Sequence, residues 1–170
     1  NDTAIYVLDI PEGQHTVQIT SSLELAINKG YIDWGDGSVS QLAADGLKHT
    51  YASAGKYEVL AQCLPGKYGD EYKMLCTEEL IEVKRLPKGH DNFNGCFVNA
   101  NRLRKVTAPD LRFRSIGLKN MFWNCSSLEE IIGTETWDVS NVNDLGSVFG
   151  GCSSLKSINI NGWVTDNVAS

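Results

Sequence analysis

Phe122-Trp123-Asn124-Cys125-Ser126-Ser127-Leu128-Glu129-Glu130-Ile131 is matched, residue for residue, by Phe149-Gly150-Gly151-Cys152-Ser153-Ser154-Leu155-Lys156-Ser157-Ile158. Downstream, Trp137-Asp138-Val139-Ser140-Asn141-Val142 falls over Trp163-Val164-Thr165-Asp166-Asn167-Val168, so the period is 26 to 27 residues. Self-similarity at that period is the signature of a repeat architecture. A weaker copy precedes both, with Phe97, Ala100, Leu103 and Val106 at the positions of Phe122, Cys125, Leu128 and Ile131. Leu111 and Ile116 then stand for Trp137 and Val142. Phe93-Asn94-Gly95-Cys96 offers a second possible start for this copy, at the expense of a four-residue insertion before Leu103.

Each copy carries an apolar core of alternating type: Leu103/Val106/Ala108, Leu128/Ile131 and Leu155/Ile158/Ile160. Alternation of this kind predicts a short strand with one buried face, whereas the looser spacing from Val142 to Phe149 predicts a helical turn. One such unit cannot bury its apolar face alone, so neighbours must stack. The array amounts to about three units, near the minimum for stability, with the last incomplete. A longer parent protein, or another segment capping the last unit, is expected from this.

The residues Met121-Phe122, Cys125-Ser126-Ser127-Leu128, Trp137-Asp138-Val139-Ser140-Asn141-Val142, Phe149, Cys152-Ser153-Ser154-Leu155 and Trp163 resemble the BspA-like leucine-rich repeats of bacterial surface proteins. Val148 and Ala100 depart from that pattern, which has Met and Cys there. The resemblance covers about residues 93 to 170. It implies a solenoid of α/β repeats, exposure at the cell surface and a role in adhesion or host contact, without a defined set of binding residues.

The first half reads differently. Asp36-Gly37 is a strong turn dipeptide between Tyr31/Trp34 and Val39, and strand-like runs recur at 4–10, 15–20, 57–64 and 72–83. Short runs punctuated by turn residues predict an all-β sandwich. Tyr31-Ile32-Asp33-Trp34-Gly35-Asp36-Gly37, followed by His49-Thr50-Tyr51 and Gly55-Lys56-Tyr57-Glu58-Val59, resembles the polycystic kidney disease domain, which implies an immunoglobulin-like fold over about residues 3 to 84. Gln41 to Leu47 is expected to be a loop. Arg85-Leu86-Pro87-Lys88-Gly89-His90-Asp91 breaks both periodicities and reads as a linker. The expected organisation is therefore two domains, a β-sandwich over 1–86 and repeats over 87–170, each with a modest core.

With 42% hydrophobic residues the chain can fill such cores, and no run approaches the roughly 20 apolar residues of a membrane helix. A surface protein must be exported, so a cleaved signal peptide is expected, with a lipid anchor upstream as one means of attachment. The five cysteines are an odd number. Cys125, Cys152 and Cys96 read as small buried side chains. If Gly69-Asp70 is a two-residue hairpin turn, Cys63 and Cys76 stand opposite each other and a disulfide between them is a possibility, two reduced core thiols being the alternative.

Signals for chemistry are sparse. His15, His49 and His90 lie far apart, without a Cys or His at metal-ligand spacing, so no zinc site, metal or cofactor is expected. No nucleophile elbow, His-Glu-x-x-His or phosphate loop is present, and an enzyme is not expected. Asp33 and Asp36 are too few for a calcium cage and read as turn caps, with Trp34 packed beneath and His49 structural. Trp137 and Trp163 recur with the repeat and read as core, whereas Trp123 is matched by Val98 and Gly150 and reads as an exposed aromatic.

Charge gives the sharpest hint. Within a net charge of −6, the segment from Asn101 to Lys119 holds Arg102, Arg104, Lys105, Arg112, Arg114 and Lys119 against Asp110 alone. Alternation puts Arg102 with Arg104, and Arg112 with Arg114, on shared faces. Such asymmetry points to an electrostatic contact: a host or matrix protein, an acidic glycan, or the acidic first half of the same chain. The acidic total and the lack of interleaved aromatics disfavour nucleic acid. The expected function is a non-catalytic, surface-exposed interaction protein. Its alternatives are a structural stalk, or an accessory module of glycan uptake with Trp123 or Trp34 stacking on sugar.

Overall fold

Alternation places the first strand. In β1 (Thr3–Ile10) the side chains of Ala4, Tyr6, Leu8 and Ile10 are buried and those between them half-exposed, the period of two that a pleated strand imposes. The computed structural model describes residues 3–19, 30–42, 47–63, 71–163, 165 and 168. Its strands continue with β2 (His15–Gln18), β3 (Gly30–Asp33), β4 (Val39–Gln41), β5 (Lys48–Tyr51), β6 (Gly55–Cys63), β7 (Leu80–Arg85), β8 (Lys105–Thr107) and β9 (Glu130–Ile132). A seven-stranded mixed sheet runs in the order β4-β3-β6-β1-β7-β8-β9, and β2 pairs with β5 in a second sheet of two strands. Side chains from both sheets, including Val17, Ile32 and Tyr51, and Trp34 just past β3 join those of the second half in one buried cluster.

The large sheet changes character at β7. Its pairing with β1 is antiparallel, with Tyr6 opposite Val83, whereas its pairing with β8 is parallel, with Val83 beside Val106. β8 and β9 then pair in parallel, Val106 beside Ile131. The expected linker thus begins on the last residue of β7, and Leu86, Pro87 and His90 are buried beyond it.

The repeat copies lie directly upon one another. Phe97 stacks on Phe122 (centroids 5.7 Å apart, planes 18° apart), and Phe122 stacks on Phe149 (6.1 Å, 8°). This fixes the register of the first copy at Phe97, not Phe93. The thiol of Cys125 donates to the Phe97 carbonyl (3.1 Å) and that of Cys152 to the Phe122 carbonyl (3.0 Å), so a side chain recurring in sequence makes a recurring bond in space. The indole N–H of Trp137 reaches the Ala108 carbonyl (2.6 Å) and that of Trp163 the Thr134 carbonyl (2.7 Å) in the same way. Asn99 and Asn124 occupy the left-handed region at φ 62° and 61°, which Asn tolerates better than most residues, and the Asn124 amide donates to Asn99 Oδ1.

Several expectations need correction. The described residues contain no α-helix, only a 3-10 turn at Thr134–Thr136, so the segment from Val142 to Phe149 is not helical. Its N–H groups are directed elsewhere: Gly146 N donates to Asp144 Oδ1 at 2.7 Å and Val148 N to the Leu145 carbonyl at 3.4 Å, three residues back and not four. An i→i+4 ladder would have to break those bonds. Leu155 to Ile160 forms no strand; Leu155 and Ile158 are only half-buried and Ile160 is exposed, so little apolar burial pins the segment. Ile116 is exposed where Val142 is fully buried, so the two are not equivalent. The run expected at 72–83 shortens to β7, and Gln41, expected in a loop, closes β4.

Strand order also removes the hairpin that would place Cys63 opposite Cys76. β1 lies between β6 and β7, and Cys63 stands opposite Gly30. The Cys76 thiol donates to the Val98 carbonyl at 3.0 Å. The side chain of Cys63 and the expected turn at Gly69-Asp70 lie outside the described residues.

Candidate functional site

The four arginines singled out in the sequence divide into two clefts. Arg102 and Arg104 share a face, as alternation requires, and line a groove of about 440 Å³ with Asp9, Lys56, Ile81, Ser127, Glu129 and Ser154. Arg112 and Arg114 line a second cleft of about 420 Å³ with Asp91, Phe113, Ser115, Asp138 and Asn141. The local positive charge is matched in place by carboxylates that are remote in sequence. Arg102 Nη2 bonds Asp9 Oδ2 at 2.8 Å, Arg104 reaches Glu129 at 3.4 Å, Lys105 reaches Glu130 at 3.7 Å and Lys119 reaches Asp144 at 3.3 Å. Arg114 grips Asp91 through Nε and Nη2, at 3.0 and 3.2 Å. Hydrogen bonds from the Ser140 hydroxyl and backbone N–H, helped by the nearby Arg112 charge, hold the Asp138 carboxyl below its ordinary range.

The first groove has an internal order that the second lacks. Arg102, Ser127 and Ser154 each precede the buried or half-buried leucine of their copy, Leu103, Leu128 and Leu155. They are the same position read three times. Arg104 and Glu129 are a second equivalent pair, so the groove runs along the stacking direction. Its near end is completed by the first half of the chain, through Asp9 on β1 and Lys56 opposite it on β6. Three cations and two carboxylates, with the hydroxyls of Ser127 and Ser154, make this lining polar throughout except for Ile81.

The aromatic candidates part company. Trp123 is 41% exposed and lies over Gly150, where an added Cβ would come within 2.9 Å of its ring. Trp34 is fully buried, so sugar cannot stack on it: it lies against His49 at 4.8 Å, donates its indole N–H to Ser40 Oγ (2.9 Å), and its carbonyl accepts from Tyr51 (2.8 Å). The turn carboxylates are engaged by backbone, Asp33 Oδ1 accepting from Gly35 N and Asp36 Oδ1 from Ser38 N, both at 3.0 Å. Asp36 Oδ2 also bonds His49 Nε2 at 2.7 Å. Burial pushes the Cys96 and Cys125 thiols well up, away from reactive thiolate.

A further cluster escaped the sequence reading. His15 Nε2 lies 2.6 Å from the buried Glu79 Oε1, and a carboxylate oxygen of Glu78 completes a set of three donor atoms within 4.8 Å of one another. His15 opens β2, whereas Glu78 and Glu79 immediately precede β7. Only the folding of one sheet over the other joins them, and spacing in the chain carries no trace of it.

Among the described residues no helix is long and apolar enough to cross a membrane. The profile of a family described as "Mycoplasma protein of unknown function, DUF285" matches residues 91–170. Neither the curated proteins nor the solved structures gave a significant match.

Proposed function

We propose that this chain is a non-catalytic bacterial cell-surface binding module, in which an immunoglobulin-like sandwich of the polycystic kidney disease type carries BspA-like leucine-rich repeats. The ligand lies in the groove built by Arg102, Ser127 and Ser154. The observation that carries the reading is the threefold recurrence of one groove position along the stack. A row of equivalent positions about 5 Å apart, the spacing of paired strands, suits a ligand that is itself a repeating chain. Three cations against two carboxylates, with two hydroxyls and a single apolar side chain in the lining, favour an acidic glycan over the apolar anchors of a protein partner. The stacked copies explain how so small a unit presents an extended surface.

A structural stalk is the second reading, favoured by the internal ion pairing of Arg102, Arg104 and Arg114. The two are separated by binding of the purified chain to arrays of glycans and matrix proteins at low and physiological salt. A Lys56→Glu/Arg104→Glu variant alters the groove, and Arg112→Glu alters the second cleft as control. Salt-sensitive glycan binding lost only in the groove variant supports the proposal. No binding by any form supports the stalk. Equal binding by all forms moves the site elsewhere, with Trp123→Ala the next variant.

A further inference from the structure

We propose that His15, Glu78 and Glu79 form a binding site for a divalent transition ion of the zinc type. The donor set is one imidazole nitrogen and two carboxylate oxygens, with their ligand atoms within 4.8 Å of one another. In a tetrahedral zinc site with bonds near 2.0–2.1 Å, ligand atoms stand about 3.3 Å apart. The cluster therefore needs only small movements: His15 and Glu79 separate from 2.6 Å, and Glu78 draws in. The imidazole selects against calcium and magnesium, which take oxygen donors, and the lack of a thiolate suits a borderline ion. Three protein ligands leave the fourth position to water.

Two features make the cluster more than a chance meeting of charged groups. Glu79 has a side chain only 8% exposed and is paired with His15. A divalent ion bound here would satisfy the buried carboxylate and the exposed one beside it together. The backbone that presents the two glutamates is also held from both sides. Asp9 N donates to the Glu79 carbonyl (2.8 Å), Arg102 Nη1 to the Glu78 carbonyl (3.4 Å) and Leu80 N to the Thr77 carbonyl (3.2 Å). His15 is fixed by its place opposite Tyr51 in the β2–β5 pair. An ion bound here ties the two-stranded sheet to the strand that joins both halves of the large sheet.

The test uses the whole chain with zinc and with cobalt as a spectroscopic substitute. One zinc per chain is expected by titration calorimetry, with a melting temperature that rises with zinc concentration. Cobalt should show visible d–d bands without the near-ultraviolet thiolate band, which separates this site from adventitious binding at the cysteines. Glu78 is exposed and lies beside another carboxylate, so Glu78→Gln should not lower the zinc-free melting temperature while weakening zinc binding at least about tenfold. His15→Gln should abolish the cobalt spectrum. Failure to bind one equivalent, a thiolate band, or Glu78→Gln and His15→Gln variants that bind as the parent does would each overturn the proposal and leave an ion pair only.

Discussion

Replacing Phe122 by Ala tests the stacked core at its centre. Phe122 is fully buried, with one ring face toward Phe97 at 5.7 Å and the other toward Phe149 at 6.1 Å. Truncating a buried Phe costs about 3–5 kcal/mol, and aromatic pairs add about 0.5–1.5 kcal/mol each beyond area, so the upper part of that range, about 4–5 kcal/mol, is expected. Phe149 is half-buried and, among the described residues, stacks only on Phe122, so Phe149→Ala should cost about half as much, roughly 2 kcal/mol. Urea unfolding followed by circular dichroism measures both, with an unchanged slope confirming that the same transition is read. Double-mutant cycles sharpen the test: Phe122 and Phe149 should couple by about 0.5–1.5 kcal/mol, and Phe97 and Phe149, separated by Phe122, should be additive. Equal losses for Phe122→Ala and Phe149→Ala, or coupling between Phe97 and Phe149 as large as that of the touching pair, would refute the stacking argument.

Gly35 sits at φ +84°, where an added Cβ falls 2.5 Å from the Glu58 carbonyl oxygen, while Gly37 at φ +94° has open space; Gly35→Ala should cost about 2 kcal/mol or more and Gly37→Ala about 1 kcal/mol by thermal or urea melts. Arg114→Met, which breaks the two-point grip on Asp91, should lower stability by about 1–2 kcal/mol, whereas Arg104→Met, exposed and 3.4 Å from Glu129, should fall within about 0.5 kcal/mol of the parent. Ser140→Ala should raise the Asp138 titration midpoint toward the ordinary value of about 3.9, as read by carbon-detected NMR. Because the Asp138 value is depressed on folding, its contribution is present above the unfolded value and lost as pH falls through the folded one. The parent should therefore lose more stability than Ser140→Ala on acidification below about pH 4.

The repeat was legible because stacking asks for the same side chain at the same place in each copy. Cys125 over Cys152 and Trp137 over Trp163 are visible as letters before they are visible as bonds. The helical turn was misread because apolar spacing says nothing about where N–H groups donate, and those of Gly146 and Val148 go to Asp144 Oδ1 and the Leu145 carbonyl. The groove was half legible. Arg102 and Arg104 stood out by charge, Ser127 and Ser154 were in the alignment but unremarkable in type, and Asp9 and Lys56 come from the other half of the chain. His15 with Glu78 and Glu79 was out of reach, being a product of sheet packing alone.

β7 decides how far the two halves can be treated apart. It offers one edge to β1 and the other to β8, Arg104 N donates to the Ile81 carbonyl at 2.9 Å, and the buried Leu80 and Val83 belong to the cluster shared with Leu103 and Val106. A fragment of residues 87–170 loses that strand, so the edge of β8 is unpaired and the apolar face of the first copy is uncovered. Residues 77–170 retain β7 but give its other edge to water. The first fragment should therefore be unfolded or aggregated, and the second ordered but weaker than the whole chain, as judged by dispersion in amide NMR spectra and by urea midpoints. Dispersed, cooperative behaviour of 87–170 alone would show that the stack needs no cover from β7. The groove would then have to be sought without Asp9 and Lys56, which only the intact sheet brings to it.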